Sequence, residues 1–360
     1  MPQPLAATPL AVTPLAVTPL AVTLGEPAGI GPDITLAAWA RRSELELPPF
    51  YMHADPAHLE RRARTLGLNV PIETATPATA AATFARALPV MPLGITVTAE
   101  PGKPDGSSAA AAIASIDRAV ADVLAGKASA VVTNPVAKSV LYKAGFKDPG
   151  HTEYLARLSF EATGDPAWPV MMLWAPEVAV VPVTIHIPFK DVPQHLTRDL
   201  IFETGRVVAR DLAARFGIER PRLAVAGLNP HAGEDGTLGK EDSLIVRPAI
   251  ERLIADGIDA RGPLPADTMF HEAARRTYDV ALCMYHDQAL IPIKTLAFDH
   301  GVNTTLGLPF VRTSPDHGTA FDITGTGRAD PSSLIAELKL AARLAAADAR
   351  KLRKPAAALA

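Results

Sequence analysis

The sequence predicts an α/β protein of two domains with a largely parallel sheet, and three observations lead to this. The chain has 360 residues, and a single hydrophobic core rarely serves more than about 250 to 300 residues. Short apolar runs alternate with amphipathic stretches along the chain, which is the pattern of strands connected by helices. Polar clusters follow several of the apolar runs, as expected where ligands bind beyond the carboxyl ends of parallel strands.

Strands and helices follow from composition and periodicity. Short apolar runs predict strands over residues 20–24, 49–53, 130–133, 178–185, 223–228 and 280–285. Amphipathic stretches predict helices over residues 109–124, 196–216, 243–255 and 332–347. Gly217 is the expected C-cap of the second helix. A further helix is expected to start at His151 after Gly150, because Glu153 then lies in its first turn.

The N-terminus is repetitive. Residues 4–23 are four copies of a five-residue unit, Pro-Leu-Ala-Ala-Thr once and Pro-Leu-Ala-Val-Thr three times. Proline at every fifth position excludes a helix. We expect the last copy to supply the strand at residues 20–24 and residues 1–19 to form a disordered extension.

Composition narrows the function classes. A hydrophobic content of 48%, a charged content of 20% and a formal net charge of -3 are typical of a soluble globular protein, with no preference for nucleic acid or an anionic membrane. The single cysteine, Cys283, lies in an apolar run and has no disulfide partner, which favours the cytoplasm. No run approaches the roughly 20 apolar residues that cross a bilayer, and no secretory signal is evident.

Three of the ten histidines, His186, His231 and His286, each follow a predicted strand. Imidazoles from three strand ends can converge on one divalent cation and leave a coordination position for substrate. Spacing alone favours the alternative of isolated histidines, because the helical i, i+4 pattern is absent.

Lys294, Asn303 and Arg312 are candidate phosphate ligands. They occur at roughly even intervals, and an arginine can bind phosphate through two hydrogen bonds while a lysine acts as a point charge. On composition alone, ordinary surface cations are the more common explanation for the lysine and the arginine.

Two turns carry further candidates. The turn over residues 25–32 is rich in glycine and lies between a strand and a helix, so its amides can approach an anion, or its glycines serve only a tight turn. It matches neither the G-x-G-x-x-G nor the Walker A pattern. Asp267 follows a Pro-rich stretch and is either a helix N-cap or a general base.

These motifs resemble those of the 4-hydroxythreonine-4-phosphate dehydrogenase family. The matching segments are residues 25–32, 150–153, 184–188, 228–234, 262–268 and 285–320, in the order found in the family. The resemblance implies a two-domain fold like that of isocitrate and isopropylmalate dehydrogenases, with a cleft between the domains, and a homodimer. We expect one domain over residues 20–145 and 287–355, and a second, with the dimer interface, over residues 146–286.

The resemblance also implies roles for individual residues. The metal ligands would be His186, His231 and His286, in a set that the family completes across its dimer interface. The substrate-binding positions match His151, Thr152, Lys294, Asn303 and Arg312. Asp267 and Lys294 are the candidate catalytic residues, and the acidic side chain of Asp267 in its Pro-rich turn, rather than the resemblance, makes it the candidate base or proton relay.

Residues 317–327 resemble the adenosine-binding loop of the decarboxylating dehydrogenase superfamily. This implies cofactor contacts from Gly318, Thr319, Ala320 and Asp322. Two positions depart from the family pattern, because Asn134 stands where glycine is expected and His300 where arginine is familiar. We expect these departures to bear on substrate preference.

The expected reaction is oxidation of 4-hydroxythreonine 4-phosphate at C3 with NAD or NADP, followed by decarboxylation, as in pyridoxal 5'-phosphate biosynthesis. The expected metal is zinc, magnesium or cobalt. A related dehydrogenase of threonate or erythronate 4-phosphate is the first alternative. A metal-dependent phosphate-ester hydrolase and a non-catalytic binding protein are the others, and NADH formation separates both from a dehydrogenase.

Overall fold

The computed structural model describes residues 18–353, which form two compact units. The first unit consists of residues 18–169 and Leu308–Ala346. The second unit consists of Val170–Gly307 and residues 347–353. The expectation of a disordered N-terminal extension falls, up to residue 17, outside the described residues.

The described chain contains twelve strands. They are β1 (Leu20–Thr23), β2 (Phe50–Ala54), β3 (Ile72–Thr74), β4 (Leu88–Pro92), β5 (Val131–Val132), β6 (Val170–Ala175), β7 (Val178–Pro182), β8 (Arg222–Ala226), β9 (Asp259–Leu264), β10 (Val280–Cys283), β11 (Val302–Leu306) and β12 (Arg312–Ser314).

Twelve α-helices lie between and after these strands in the described residues. They are α1 (Gly31–Ala40), α2 (Pro56–Thr65), α3 (Pro77–Phe84), α4 (Gly106–Leu124), α5 (Lys138–Lys143), α6 (His151–Thr163), α7 (Val192–His195), α8 (Arg198–Asp211), α9 (Arg247–Ala255), α10 (Glu272–Arg275), α11 (His286–Ala297) and α12 (Ser332–Arg353). None of the helices in this part of the chain is both long and apolar enough to cross a membrane.

The first unit contains six parallel strands in the order β3-β4-β2-β1-β5-β12. Every residue of β1 and β2 is buried, which explains why these strands read as continuous apolar runs without alternation. Leu155 of α6 packs with Ile116 of α4 in the core on one side of this sheet. This arrangement brings the turns that follow β1 and β5 to one edge.

The second unit contains six strands in the order β11-β6-β7-β10-β8-β9. β7, β10, β8 and β9 are parallel to one another, whereas β6 is antiparallel to both β7 and β11. Ile201 and Val208 of α8 pack against one face of the sheet, and Ala289 and Ile293 of α11 pack against the other. The prediction of a largely parallel sheet is therefore correct, with an antiparallel portion at β6.

The predicted helix ends agree with local capping chemistry. α6 begins at His151 with Gly150 as its N-cap residue, as predicted. α8 begins after Thr197, whose side chain accepts a hydrogen bond from the Leu200 N–H. Its α-helical part ends at Asp211, and one wider turn then leads to Gly217, which has the left-handed conformation expected of a C-cap.

The boundaries between the two units lie at different residues from the predicted domain boundaries. The predicted boundaries follow residues 145 and 286, whereas the compact units change at residues 169 and 307. The physical reason is helix packing. Tyr154 of α6 donates a hydrogen bond to Asp117 of α4, which keeps α6 in the first unit, and α11 contributes to the core of the second unit.

Candidate active site

The second unit brings two of the predicted metal ligands together. His186 follows β7 and His286 follows β10, and Pro182 lies opposite Cys283 where these parallel strands end. The two histidine ring centroids are 5.6 Å apart. A cation about 2.1 Å from one nitrogen of each ring places the centroids about 5 to 6 Å apart, so this pair has the spacing of shared metal ligands.

A carboxylate beside His286 favours the tautomer that a metal ligand needs. His286 Nδ1 lies 2.7 Å from Asp287 Oδ1, and a hydrogen bond donated from Nδ1 leaves Nε2 as the acceptor. Metal-binding histidines commonly donate their other ring nitrogen to a carboxylate in this way. The donor set at this edge of the sheet therefore fits a divalent cation.

His231 lies on a turn with an unusual backbone. Four non-glycine residues from His231 to Asp235 have positive φ angles, between 42° and 53°, and each costs about 1 kcal/mol or more. The buried carboxylate of Asp242 stabilises the start of the turn, because it accepts hydrogen bonds from the backbone N–H groups of Leu228 and Asn229 at 2.7 and 3.0 Å. The His231 side chain itself is exposed.

The three histidines do not meet within one chain. In the portion that the structure describes, no group of three His, Cys, Asp or Glu side chains is placed to share a metal ion. His186 and His286 therefore form a pair, and His231 is not part of it. The sequence hypothesis of three imidazoles converging from one chain is not met by the described residues.

Lys294 shares a pocket with His286, one member of the histidine pair. The pocket lies along α11 and is lined by His286, Asp287, Leu290, Ile291, Lys294 and Thr295. Lys294 is eight positions after His286 and hence on the same side of the helix. A second pocket, of about 250 Å³, includes His186 and again His286 and Asp287. The ammonium group of Lys294 and the two predicted metal ligands His186 and His286 thus line adjoining pockets.

Asn303 projects from β11 of the same unit, where it lies opposite Leu173 of β6. Its Oδ1 atom is buried and has no hydrogen-bond partner among the described residues. An unpaired buried amide oxygen is costly, so this atom is available for a ligand's hydrogen-bond donor. Its role in binding substrate remains a prediction.

Asp267 is exposed in the short turn Ala266–Thr268. The prediction that it caps a helix is wrong, because the following helix α10 begins after His271, whose side chain accepts a hydrogen bond from the Ala274 N–H. The exposed carboxylate remains a candidate base.

In the first unit a buried guanidinium meets predicted substrate-binding residues. Arg312 on β12 is only 4% exposed. Its Nη2 and Nε groups donate to the Thr133 hydroxyl at 2.8 and 3.2 Å, and Nη2 lies 3.4 Å from His151 Nδ1. Burial lowers the pKa of Arg312 to about 10, against the opposing effect of the Glu337 carboxyl. The side chain still carries its charge at neutral pH.

His151 is held in its neutral form next to this cation. Burial lowers the pKa of His151 well below its usual value, and the nearby Arg312 and Lys138 act in the same direction. The Nε2 atom is buried and has no hydrogen-bond partner among the described residues. Thr152 follows in the first turn of α6, where backbone N–H groups lack helical partners. This helix end beside Arg312 is suited to an anionic group.

Glu337 on α12 is a neighbour of the site that the sequence interpretation missed. Burial raises the pKa of its carboxyl well above the usual value, whereas Ser333 and Arg312 lower it. Ser333 Oγ donates to Glu337 Oε1 at 3.1 Å. The sequence does contain an indication that Glu337 is buried, because this residue interrupts the apolar stripe of a predicted helix beside Leu334 and Leu338.

The predicted cofactor loop, residues 317–327, packs on the glycine-rich turn of residues 25–32. The Ile30 N–H donates to the Thr319 carbonyl at 3.0 Å. A Cβ atom on Gly29 would come within 3.0 Å of the Thr319 backbone and side chain, so a glycine is needed for this close approach. The glycine-rich turn therefore supports the loop, which is a role not recognised from the sequence.

Within the loop, the predicted cofactor residues differ in exposure. Gly318 and Asp322 are exposed, and Thr319 and Ala320 are half-buried. Ala320 has a left-handed backbone with φ of 43°, which turns the chain between the two exposed positions.

The two departures from the family pattern have local structural roles. Asn134 Nδ2 donates to the Thr23 carbonyl and to Thr35 Oγ1, both at 2.9 Å, and so fastens β1 to α1. His300 Nε2 lies 3.1 Å from Glu177 Oε2 in an exposed pair. Their effect on substrate preference stays a prediction.

Comparison with known proteins gives one consistent result. The sequence profile of the family described as pyridoxal phosphate biosynthetic protein PdxA matches residues 46–341. A 4-hydroxythreonine-4-phosphate dehydrogenase of Bradyrhizobium diazoefficiens is 64% identical over 333 residues, covering 90% of this chain and 96% of the relative. One from Xanthobacter autotrophicus is 63% identical over 328 residues, covering 91% and 94%.

A solved structure supports the same similarity. The crystal structure of a 4-hydroxythreonine-4-phosphate dehydrogenase from Klebsiella pneumoniae has a TM-score of 0.79 and 36% sequence identity, covering 91% of this chain and 99% of that one. The predicted α/β fold class, like that of isocitrate and isopropylmalate dehydrogenases, is confirmed by this similarity.

Proposed function

This chain is an oxidoreductase of the PdxA family of pyridoxal phosphate biosynthetic proteins, and from that membership we propose that it oxidises 4-hydroxythreonine 4-phosphate. The observation that carries the proposal is the 64% identity to a dehydrogenase of this name over 90% of the chain. The dehydrogenase family implies a nicotinamide cofactor. In the proposed reaction C3 would give up a hydride to NAD or NADP and its hydroxyl would give up a proton, and the resulting β-keto acid would lose carbon dioxide to give 3-amino-2-oxopropyl phosphate.

A divalent cation at His186 and His286 is part of the proposal. It is supported by the 5.6 Å ring separation and by the contact of Asp287 with His286 Nδ1. Imidazole ligands favour zinc or cobalt over magnesium, which prefers oxygen ligands. A cation bound there supplies Lewis-acid chemistry to the oxygen at C3 of the substrate.

A homodimer would supply the third imidazole. His231 is exposed and outside the His186 and His286 group, so a second copy of the chain can contribute its own His231 to that pair. Ile291 in α11 and Phe298 at the C-cap of this helix are 64% and 78% exposed, and exposed large apolar side chains near a polar site favour protein association. Analytical ultracentrifugation tests this, since a monomer at micromolar concentration would contradict it.

Each unit, taken by itself, holds candidate partners for an anionic group. Arg312, with Thr133 and His151 around it, offers a fixed cation to a phosphate or carboxylate in the first unit. Lys294 and Asn303 offer an ammonium and an amide in the second unit. A partner that is fixed in this way positions the group it binds and so lowers the entropic part of the barrier.

Two further roles are proposed within the same reaction. Asp267 acts as base or proton relay, which is supported by its exposed carboxylate, and an Asp267→Asn variant with unchanged turnover across pH would contradict this. Gly318, Thr319, Ala320 and Asp322 contact the cofactor, and the support is the ordered packing of this loop on the glycine-rich turn. A cytoplasmic location, predicted from Cys283, stays a prediction.

A spectrophotometric assay tests the proposed function. Purified protein with divalent metal is mixed with NAD and 4-hydroxythreonine 4-phosphate, and NADH, carbon dioxide and inorganic phosphate are measured in parallel. We expect equal amounts of NADH and carbon dioxide, with no phosphate release. Faster NADH formation with threonate or erythronate 4-phosphate would favour the alternative dehydrogenase. Phosphate release without NADH would indicate a hydrolase, and binding without any product would indicate a binding protein.

A further inference from the structure

An ion pair is buried beneath the loop of residues 317–327. Asp33 lies in the first turn of α1 and Arg62 lies in α2. Arg62 Nη1 donates to Asp33 Oδ1, and the two side chains are 1% and 2% exposed, for arginine and aspartate respectively. A buried ion pair of this kind contributes little net stability compared with apolar residues of the same size. Its other contacts therefore indicate what it does.

The carboxylate of Asp33 reaches the loop directly. While Oδ1 accepts from Arg62, Oδ2 accepts a hydrogen bond from the Gly325 N–H at 2.6 Å. Gly325 has a positive φ of 73°, and a Cβ atom there would lie 3.0 Å from Pro101. Glycine therefore allows the left-handed backbone with which the loop passes close to Pro101 and reaches Asp33.

Arg62 makes the corresponding contacts with the glycine-rich turn. Its Nη1 and Nη2 groups donate to the carbonyls of Gly29 and Pro27 at 3.0 and 2.9 Å. The same turn donates a hydrogen bond from the Ile30 N–H to the Thr319 carbonyl at 3.0 Å. The guanidinium fixes the turn, and the turn holds the near end of the loop.

The loop is thus tied at two points. One tie is at Thr319 through the turn, and the other is at Gly325 through Asp33. Between them lie residues 320–324, which include two of the predicted cofactor contacts, Ala320 and Asp322. A loop that is ordered before binding avoids the entropic cost of becoming ordered when the ligand arrives.

We propose that Asp33 and Arg62 are positioning residues that hold residues 317–327 in the conformation that binds the adenosine half of the dinucleotide. This inference rests on the proposed function, because it takes NAD or NADP as the cofactor. The ion pair does not contact the reacting atoms. It acts on cofactor affinity through the loop, and the bond-making steps do not depend on it once the cofactor is bound.

The test uses the full chain with Asp33→Asn. This change removes the charge pair and weakens the acceptor for the Gly325 N–H. We expect the KM and the Kd for NAD, the latter from isothermal titration calorimetry, to rise about tenfold, as for loss of a charge-assisted hydrogen bond. The value of kcat at saturating NAD should stay within about twofold, and cobalt affinity should not change.

Two further variants complete the design. Arg62→Lys keeps a cation beside Asp33 but replaces the two nitrogens that reach the Gly29 and Pro27 carbonyls by a single nitrogen, so it should raise the KM for NAD even if Asp33→Asn folds poorly. Glu73→Gln is the matched control, because it breaks the exposed ion pair of Glu73 with Arg86 in the same unit. It should leave the KM for NAD unchanged.

The outcomes separate this inference from the proposed function. Unchanged NAD affinity in both Asp33→Asn and Arg62→Lys would overturn the positioning role while leaving the dehydrogenase assignment intact. An equal fall in the affinities for NAD, cobalt and substrate would also overturn it, because general loosening of the fold would then be the cause. Absence of NAD binding by the unsubstituted chain would contradict the proposed function itself.

Discussion

The two units hold their candidate site residues in opposite ways. In the second unit, His186 and His231 are exposed and His286 is half-buried. In the first unit, Arg312 is buried in contact with Thr133 and His151, and the predicted cofactor loop is tied at both ends. The first unit is therefore organised before any ligand binds, whereas we expect a bound cation to order the more exposed imidazoles of the second unit further.

This contrast has an electrostatic basis. A cation in a low-dielectric environment attracts an anion much more strongly than a cation in water does. The same burial disfavours the charged form of Arg312 and so lowers its pKa. Water around the exposed imidazoles screens charges more strongly, and a metal ion bound there would supply the charge. We therefore expect substitutions in the two units to change different measured quantities.

The largest effect is expected at His286. His286→Ala removes one imidazole of the close pair, so cobalt affinity should fall by about 100-fold or more and NADH formation should be lost with it. Calorimetric titration of cobalt and metal analysis of the purified protein measure this. His195→Ala is the control, since His195 is an exposed histidine of the same unit whose Nδ1 contacts the Asp191 carbonyl. Normal metal content in His286→Ala would remove the basis for a metal site in this unit.

A smaller effect is expected at Arg312. Arg312→Lys keeps the charge but loses the planar set of donors that contacts the Thr133 hydroxyl, and kcat/KM for the phosphorylated substrate should fall about 100-fold with cobalt affinity unchanged. The control is Arg86→Lys, at an exposed arginine of the first unit. A variant that loses metal and substrate affinity together would show that the two units are not independent in the way we infer.

The smallest effect concerns pH. Because burial lowers the pKa of His151 in the folded state, the unfolded chain binds a proton there below about pH 6.5 that the folded chain does not. Stability is therefore lost as pH falls below the unfolded pKa. In urea unfolding experiments, the free energy of unfolding of His151→Gln should fall less between pH 7 and pH 5 than that of the unsubstituted chain. The two slopes against pH should differ by at most the amount expected for about one bound proton. Identical slopes would contradict a neutral, buried His151.

The sequence predicted elements better than it predicted contacts. The helix start at His151 and the cap at Gly217 were correct, because capping depends on a few neighbouring residues. The left-handed turn at His231 was not foreseen, since non-glycine residues rarely adopt it and a buried carboxylate from a later segment stabilises it.

The contacts of the site that the sequence did not predict join residues that are far apart in the chain. Arg312 and His151 were placed together only through a family resemblance, because 161 positions separate them. Nothing in the local sequence distinguishes Asp33 and Arg62 from other acidic and basic residues. The structural role of these two residues depends on tertiary packing, which a local sequence pattern does not reveal. Asp267 is the opposite case: its local sequence is compatible with a helix N-cap, but the folded chain starts no α-helix there.

The most direct test of the difference between the units is the affinity of the metal-free protein for NAD. The protein is treated with a strong chelator, its metal content is measured, and NAD binding is determined by isothermal titration calorimetry with and without added cobalt. If the first unit is organised in advance, the Kd for NAD should agree within about twofold between the two forms, although only the cobalt form makes NADH. A Kd that rises more than about tenfold on metal removal would contradict this.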